Sequence, residues 1–213
     1  MSRTAGLGVR RSVVTVCRRL YESGLIAGQD GNVSVRLSAT RVLVTPAGMS
    51  KVDVRAVDLI EVDLTGRRVR GRLPASSELE LHLALYRARA DIGAVVHAHP
   101  PTATGFAVAG RPLPYDALAE MVYNVGPVPI VPFVMPGSAA LGETVAAAMG
   151  ACDAALLANH GAVTVGRTLG DAHQRMESLE HAARIVCAAL QIGAVTQLAA
   201  ADVRALEARR AKR

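Results

Sequence analysis

The sequence predicts an α/β or α+β protein, and three observations predict it. The 51% hydrophobic content contains no Trp and only two Phe, so aliphatic side chains must fill the core. Period-two and helical apolar spacings succeed one another along the chain. No Ser/Gly-rich or charged linker interrupts the 213 residues, which predicts one domain over 1–213 with a core at about 8–190 and a basic tail at about 200–213.

The elements follow in order. Residues 9–23 space Val9, Val13, Val16, Cys17 and Leu20 as a helix does, with Gly24 at its end. After the turn-rich GLIAGQDG, NVSVRL alternates Val33, Val35 and Leu37 with polar residues as a half-buried strand. RVLVTP is a second strand, a short helix is expected around Val52 to Val57, and DLIEVDL leads through TGRR to a strand near Arg68 to Arg72. Strands joined by such short turns pair antiparallel. In SSELELHLALYRARAD, Ser77 and Glu80 match the S-x-x-E capping box and Leu79, Leu83 and Tyr86 form a stripe. AVVHAH is the next strand, stopped by Pro100 and Pro101. A short helix over Thr102 to Gly110, a strand in VPIVPF, a helix over 139–149, a strand in AALLANH and a long helix from GDAHQRM to CAALQ complete the set.

The net charge of +6 is concentrated in Arg10, Arg11, Arg18 and Arg19 and in Arg204, Arg209, Arg210, Lys212 and Arg213. The first group suits the solvated face of a helix and the second a frayed tail. Neither is interleaved with stacking aromatics, which argues against a nucleic-acid partner. Three widely spaced cysteines without a CxxC pair fit reduced thiols. No signal-peptide core and no apolar run of ~18 residues is present, so the expectation is a cytoplasmic protein without membrane contact.

Chemistry centres on AVVHAHPP. Side chains at i and i+2 of a strand share a face, which puts the Cβ atoms of His97 and His99 roughly 6–7 Å apart, a spacing suited to one Zn²⁺. The same pair also arises when one histidine is packed and hydrogen-bonded and the other exposed. His82, His173 and His181 fall within helices, as packed or polar-face residues. His160 ends an apolar strand before Gly161, where it can join the pair. Three histidines with an open position are the pattern of a catalytic metal. Glu78 opens the helix that feeds AVVHAH. With Glu80 assigned to capping, it is the candidate acid/base, beside Ser76 and Ser77, which could also form an ordinary N-cap. GQDGNVS and TPAGMSK, with Gly31, Asn32, Gly48, Ser50 and Lys51, could present groups to an anion or serve only as turns.

In combination, GNVSVR, TPAG, SSE, VVHAHP and NHG occur in an order that resembles the class II aldolase/adducin family, above all its fuculose-phosphate aldolase branch, over residues 8–190. The resemblance implies a three-layer α/β/α domain with a mainly antiparallel central sheet, assembled as a homotetramer with sites at subunit interfaces. It implies Zn²⁺, or another divalent metal, on His97, His99 and His160, with Glu78 as catalytic acid/base. It places Gly31, Asn32, Gly48, Ser76 and Ser77 at the phosphate and substrate. The implied reaction is reversible cleavage of a ketose 1-phosphate to dihydroxyacetone phosphate and an aldehyde such as lactaldehyde, through a metal-stabilised enediolate. Two departures stand out. Ala47 replaces the hydroxyl residue usual in the phosphate loop, and Leu118 aligns with the family's proton-donor tyrosine, leaving Tyr115 and Tyr123 as candidates. A same-fold dehydratase, decarboxylase or epimerase is the alternative. A non-catalytic adducin-like module fits less well with three histidines and Glu78 retained.

Overall fold

The computed structural model describes residues 3–211, so Lys212 and Arg213 lie outside the described residues. An eight-stranded sheet, ordered β4-β3-β2-β1-β5-β8-β7-β6, runs through the molecule. Its strands are β1 (Asn32–Ser38), β2 (Arg41–Val44), β3 (Ile60–Asp63), β4 (Arg68–Arg70), β5 (Ala94–Ala98), β6 (Ile130–Val131), β7 (Ala154–Leu157) and β8 (Gly161–Gly166). Only the β6–β7 pair is parallel. The helices are α1 (Arg3–Glu22), α2 (Leu79–Ala88), α3 (Pro101–Val108), α4 (Ala119–Asn124), α5 (Ala139–Met149), α6 (Leu169–Ile192) and α7 (Ala200–Arg210).

Strand alternation sorts the core into two layers. Val33, Ala94, Val96 and Ala98 face one apolar cluster with Val13, Cys17 and Leu20 of α1 and Met176, Leu179 and Ala183 of α6. Val42, Val44, Val95 and Val163 face the other, with Leu81 and Leu85 of α2 and Leu141 and Val145 of α5. The result is the three-layer α/β/α arrangement around a mostly antiparallel sheet. Because His97 is two residues beyond Val95, it points into the α2/α5 layer.

Several local expectations are corrected. Ser77 and Glu80 form no capping box. The helix begins at Leu79 after a turn in which the Ser76 hydroxyl accepts from the Glu78 amide, and Glu80 instead meets Arg87 at 3.1 Å. Residues 52–57 are turns rather than helix, and VPIVPF contributes a strand of only two residues because its prolines cannot donate to the sheet. GAVTVG, unassigned from sequence, is β8, and its hairpin with β7 places His160 in the turn rather than on the strand. Arg10 is not simply solvated, since it bridges to Glu61 at 2.6 Å and to the Ala56 and Leu59 carbonyls. Nor are the described residues of the tail frayed. α7 is tied down by Arg210 on Asp153, by Glu207 accepting from the Tyr115 hydroxyl and by the Leu198 amide on the Asp116 carbonyl.

One buried carboxylate joins α6 to the end of β5. Glu180 is 2% exposed and accepts from the Thr102 and Ala103 amides, the first turn of α3, as well as from Arg184. It thereby anchors the segment that follows His99. Glu180→Leu leaves those amides unpaired and is expected to cost about 3 kcal/mol, against about 1 kcal/mol for Glu180→Gln, read from urea midpoints.

Candidate metal centre and active site

The site forms where β1, β5 and the β7–β8 turn end together. β5 lies between β1 and β8, with His97 opposite Asn32 on one side and Val163 on the other. The His97 and His99 ring centroids are 5.0 Å apart, and those of His160 lie 4.8 Å and 5.2 Å from them. His160 reaches this point through a tight turn in which Asn159 adopts φ 55° and the His160 amide returns to the Leu157 carbonyl. Asn tolerates that left-handed backbone better than most residues. At Gly161 a Cβ would fall 2.6 Å from both the Ala98 carbonyl oxygen and the His99 ring, so only glycine lets the two strand ends come this close.

Two of the imidazoles have a defined polarity. His97 Nδ1 lies 2.9 Å from the Ala162 carbonyl, which can only accept, so its Nε2 presents a lone pair. His99 Nδ1 faces Asp30 at 3.3 Å, and its Nε2 meets His97 Nε2 at 3.1 Å. Glu78 brings Oε2 to 3.0 Å from His97 Nε2 and Oε1 to 3.1 Å from His160 Nε2. The candidate ligand atoms of the three histidines all lie within 4.8 Å of one another. Two imidazole lone pairs directed at one point, with a carboxylate beside them, repel unless a cation lies between them. The donor set therefore fits a divalent metal held by nitrogen, with room for further ligands. Burial alone would raise the Glu78 carboxyl, but the electrostatic interaction with His97 and the hydrogen bonds with His160, His97 and Asn32 outweigh it and hold the group well below the usual carboxylate range. Burial and the neighbouring His97 push His99 down to about 4, favouring the neutral form that ligates a metal.

Beside the histidines is a cavity of about 250 Å³ whose walls include Gly31, Asn32, Gly48, Ser76, Ser77, Glu78 and His99. All five residues expected at the phosphate and substrate thus come together with Glu78. Lys51, one of the residues the TPAGMSK loop could present to an anion, also lines it. This lysine is 3% exposed and donates to the Gln29 and Met49 carbonyls at 2.7 and 2.9 Å, clamping the two turn-rich loops together. Burial lowers its pKa. Tyr115 and Tyr123 do not line this cavity. Tyr115 sits in a 3₁₀ turn (Tyr115–Ala117), and Tyr123 lines a larger cavity of about 380 Å³ elsewhere. That larger space is bordered by Arg89, Arg175 and Arg210, which converge on Asp153, the last of them docking α7.

The family model for the class II aldolase and adducin N-terminal domain matches residues 11–187. The chain belongs to this family. A 3-oxo-tetronate 4-phosphate decarboxylase of Pectobacterium atrosepticum is 34% identical over 181 residues, 83% of each chain. An L-fuculose phosphate aldolase of Methanococcus maripaludis is 34% identical over 173 residues, 81% of this chain and 92% of that one. Among solved structures, an L-fuculose 1-phosphate aldolase superposes with a TM-score of 0.89 at 29% identity, covering 95% of both chains. This family member is an enzyme, and its relatives include both L-fuculose phosphate aldolases and 3-oxo-tetronate 4-phosphate decarboxylases. No helix among the described residues is long and apolar enough to cross a membrane.

Sequence reasoning missed His82, which it left as a packed or polar-face helical residue. It is fully buried on α2, bound to Ser34 and Asn32. Burial, with the nearby His97, pushes it down to about 3. An unfolded imidazole titrates near 6.5, so between those values only the unfolded chain takes up the proton. Stability from this group is complete above pH 6.5 and falls as pH drops towards 3, by up to about 1.4 kcal/mol per unit. His82→Gln cannot take up that proton. In metal-free protein, the stability gap between wild type and this variant is therefore expected to narrow from pH 7 to pH 4 in urea titrations.

Proposed function

We propose that this chain is a zinc-dependent lyase acting on a phosphorylated ketose, cleaving a ketose 1-phosphate of the fuculose-phosphate type reversibly to dihydroxyacetone phosphate and an aldehyde. The observation that carries this reading is the convergence of three histidine rings and the Glu78 carboxylate beside a cavity edged by two glycine turns and two serines. His97, His99 and His160 would hold the metal. When bound, it supplies Lewis-acid stabilisation of the negative charge that develops on substrate oxygens.

The protein's own groups do the rest. Gly31 and Gly48, both at positive φ, and Ser76 and Ser77 orient the phosphate through N–H and hydroxyl groups. Lys51 adds a fixed positive charge behind these loops, offsetting the hydroxyl missing at Ala47. As the C3–C4 bond breaks, its electron pair stays on C3 of the three-carbon fragment and the C4 hydroxyl gives up its proton. Glu78 delivers a proton to C3 to complete the product. Asn32 holds the carboxylate through a 2.9 Å hydrogen bond from its amide nitrogen. Exposed Phe133 and Met135 give an apolar surface for the homotetramer, in which a tyrosine from a neighbouring copy, Tyr115 or Tyr123, would take up the C4 hydroxyl proton during cleavage and return it to the aldehyde oxygen in the addition direction.

A second reading is favoured by the 34% identity to the decarboxylase: loss of CO₂ from a phosphorylated 3-oxo acid. There too a carbon–carbon bond next to a carbonyl breaks and its electron pair remains on the carbon that Glu78 can protonate. Incubation of metal-loaded enzyme with a panel of ketose 1-phosphates and 3-oxo-acid 4-phosphates separates them. Release of dihydroxyacetone phosphate is the expected result; CO₂ release from the oxo acids alone would replace the aldolase reading with the decarboxylase one.

A further inference from the structure

Behind Glu78 runs a buried chain of hydrogen bonds that the proposed reaction does not itself use. On α2 and its approach, Glu78, His82 and Tyr86 recur at i, i+4 and i+8 and so form one stripe. On β1, Asn32, Ser34 and Arg36 share one face at period two. The stripe lies over the face. Asn32 Nδ2 is 2.9 Å from Glu78 Oε2, His82 Nε2 meets Asn32 Oδ1, Ser34 Oγ is 2.6 Å from His82 Nδ1, and Tyr86 Oη is 2.9 Å from Ser34 Oγ. Arg36 closes the far end, donating to the Tyr86 carbonyl at 2.7 Å with its guanidinium 4.8 Å from the Tyr86 ring centroid. Asn32, Ser34, Glu78, His82 and Tyr86 are all 8% exposed or less, so water does not supply alternative partners.

Such a chain has only one consistent assignment of protons. The ionised Glu78 oxygen accepts, so the Asn32 amide must turn its NH₂ towards it and its carbonyl oxygen towards His82. His82 Nε2 must then carry the hydrogen, leaving Nδ1 to accept from the Ser34 hydroxyl, and the Tyr86 hydroxyl donates to Ser34. With the opposite tautomer of His82, the Asn32 amide would flip and set its oxygen against the Glu78 carboxylate. A protonated ring would make Nδ1 a donor to Ser34 Oγ, turn the Ser34 hydroxyl towards Tyr86 Oη and leave the Tyr86 hydroxyl with no acceptor in the chain.

We infer that His82 is a positioning residue: locked as the neutral Nε2–H tautomer, it fixes the Asn32 amide as a donor to Glu78 and so holds that carboxylate at the histidine cluster. This inference rests on the reading of Glu78 as the proton-transfer group. Groups one step behind a reacting or ligating side chain typically change activity 10- to 100-fold when removed.

The side-chain replacements separate positioning from packing. Gln places a donor where His82 Nε2 stands, Asn places a group where Nδ1 stands, and Leu supplies neither. His82→Gln is expected to keep kcat within about 5-fold of wild type. His82→Asn and His82→Leu are expected to lower kcat by about 10- to 100-fold, with metal affinity and KM little changed in protein that still folds. Nitrogen-15 shifts of the wild-type imidazole are expected to report Nε2–H at pH 7, a result independent of turnover. An Nδ1–H or charged ring in the wild type overturns the inference. So does a folded Leu variant with wild-type kcat, or an Asn variant more active than the Gln variant. If wild-type enzyme turns over no sugar phosphate, the proposed function fails on its own, while the nitrogen shifts still decide the state of His82.

Discussion

His97→Ala is expected to abolish metal retention and with it nearly all turnover, while leaving the sheet folded. The imidazole is fully buried, and its Nδ1 is committed to the Ala162 carbonyl across the β5–β8 ladder, so its Nε2 is aimed with little freedom. A ligand pre-oriented in this way loses almost no rotamer entropy on binding a cation. Removal of a group merely supporting a ligand costs 10- to 100-fold in metal affinity, and removal of the ligand itself should exceed that. Chelator competition and metal content should show affinity weaker by more than 100-fold, with turnover down by at least 1000-fold. The neighbouring His99 is 26% exposed in its side chain and leans on the half-exposed Asp30, so His99→Ala should weaken metal binding less. Equal metal content in wild type and the His97 variant would remove this histidine from the ligand set.

Much of this centre was legible in the amino-acid sequence because it depends on short-range geometry. An HxH at a strand end fixes two rings on one face whatever else the chain does, and a glycine after His160 marks the turn needed to bring a third ring close. Ser77 and Glu80 show the limit of such local patterns. Their spacing fits a capping box, yet the turn through Ser76 starts the helix later, because the Ser76 hydroxyl and the Asn32 side chain offer the Glu78 segment better partners than a cap does. The E-x₃-H-x₃-Y stripe of α2 was visible as spacing, but its meaning depended on β1 lying beneath it, a contact between residues 46 to 52 positions apart. Likewise, β8 is bounded by glycines and carries β-branched Val163, Thr164 and Val165, yet it goes unassigned from sequence although its hairpin partner β7 reads as a strand. The C-terminal helix looked like a charged tail because nothing local shows Asp153 collecting three guanidinium groups from distant elements.

Glu78→Gln should retain the fold and the metal while losing proton transfer. Glutamine's oxygen can still accept from Asn32, so the side chain keeps its anchor, but an amide can neither take up nor deliver a proton at the carbon beside the carbonyl. General acid–base catalysis contributes about 10²- to 10⁴-fold, and kcat is expected to fall within that range. Metal affinity should hold or rise, because the Glu78 carboxylate lies against His97 Nε2 and His160 Nε2 and competes for the same lone-pair positions. Glu78→Asp keeps the charge on a side chain shorter by one CH₂ and should recover part of the rate. The sharpest readout is exchange of the C3 hydrogen of dihydroxyacetone phosphate with deuterium in solvent, which follows proton transfer without requiring an aldehyde. Exchange at the wild-type rate in the glutamine variant would move the acid/base role to another group.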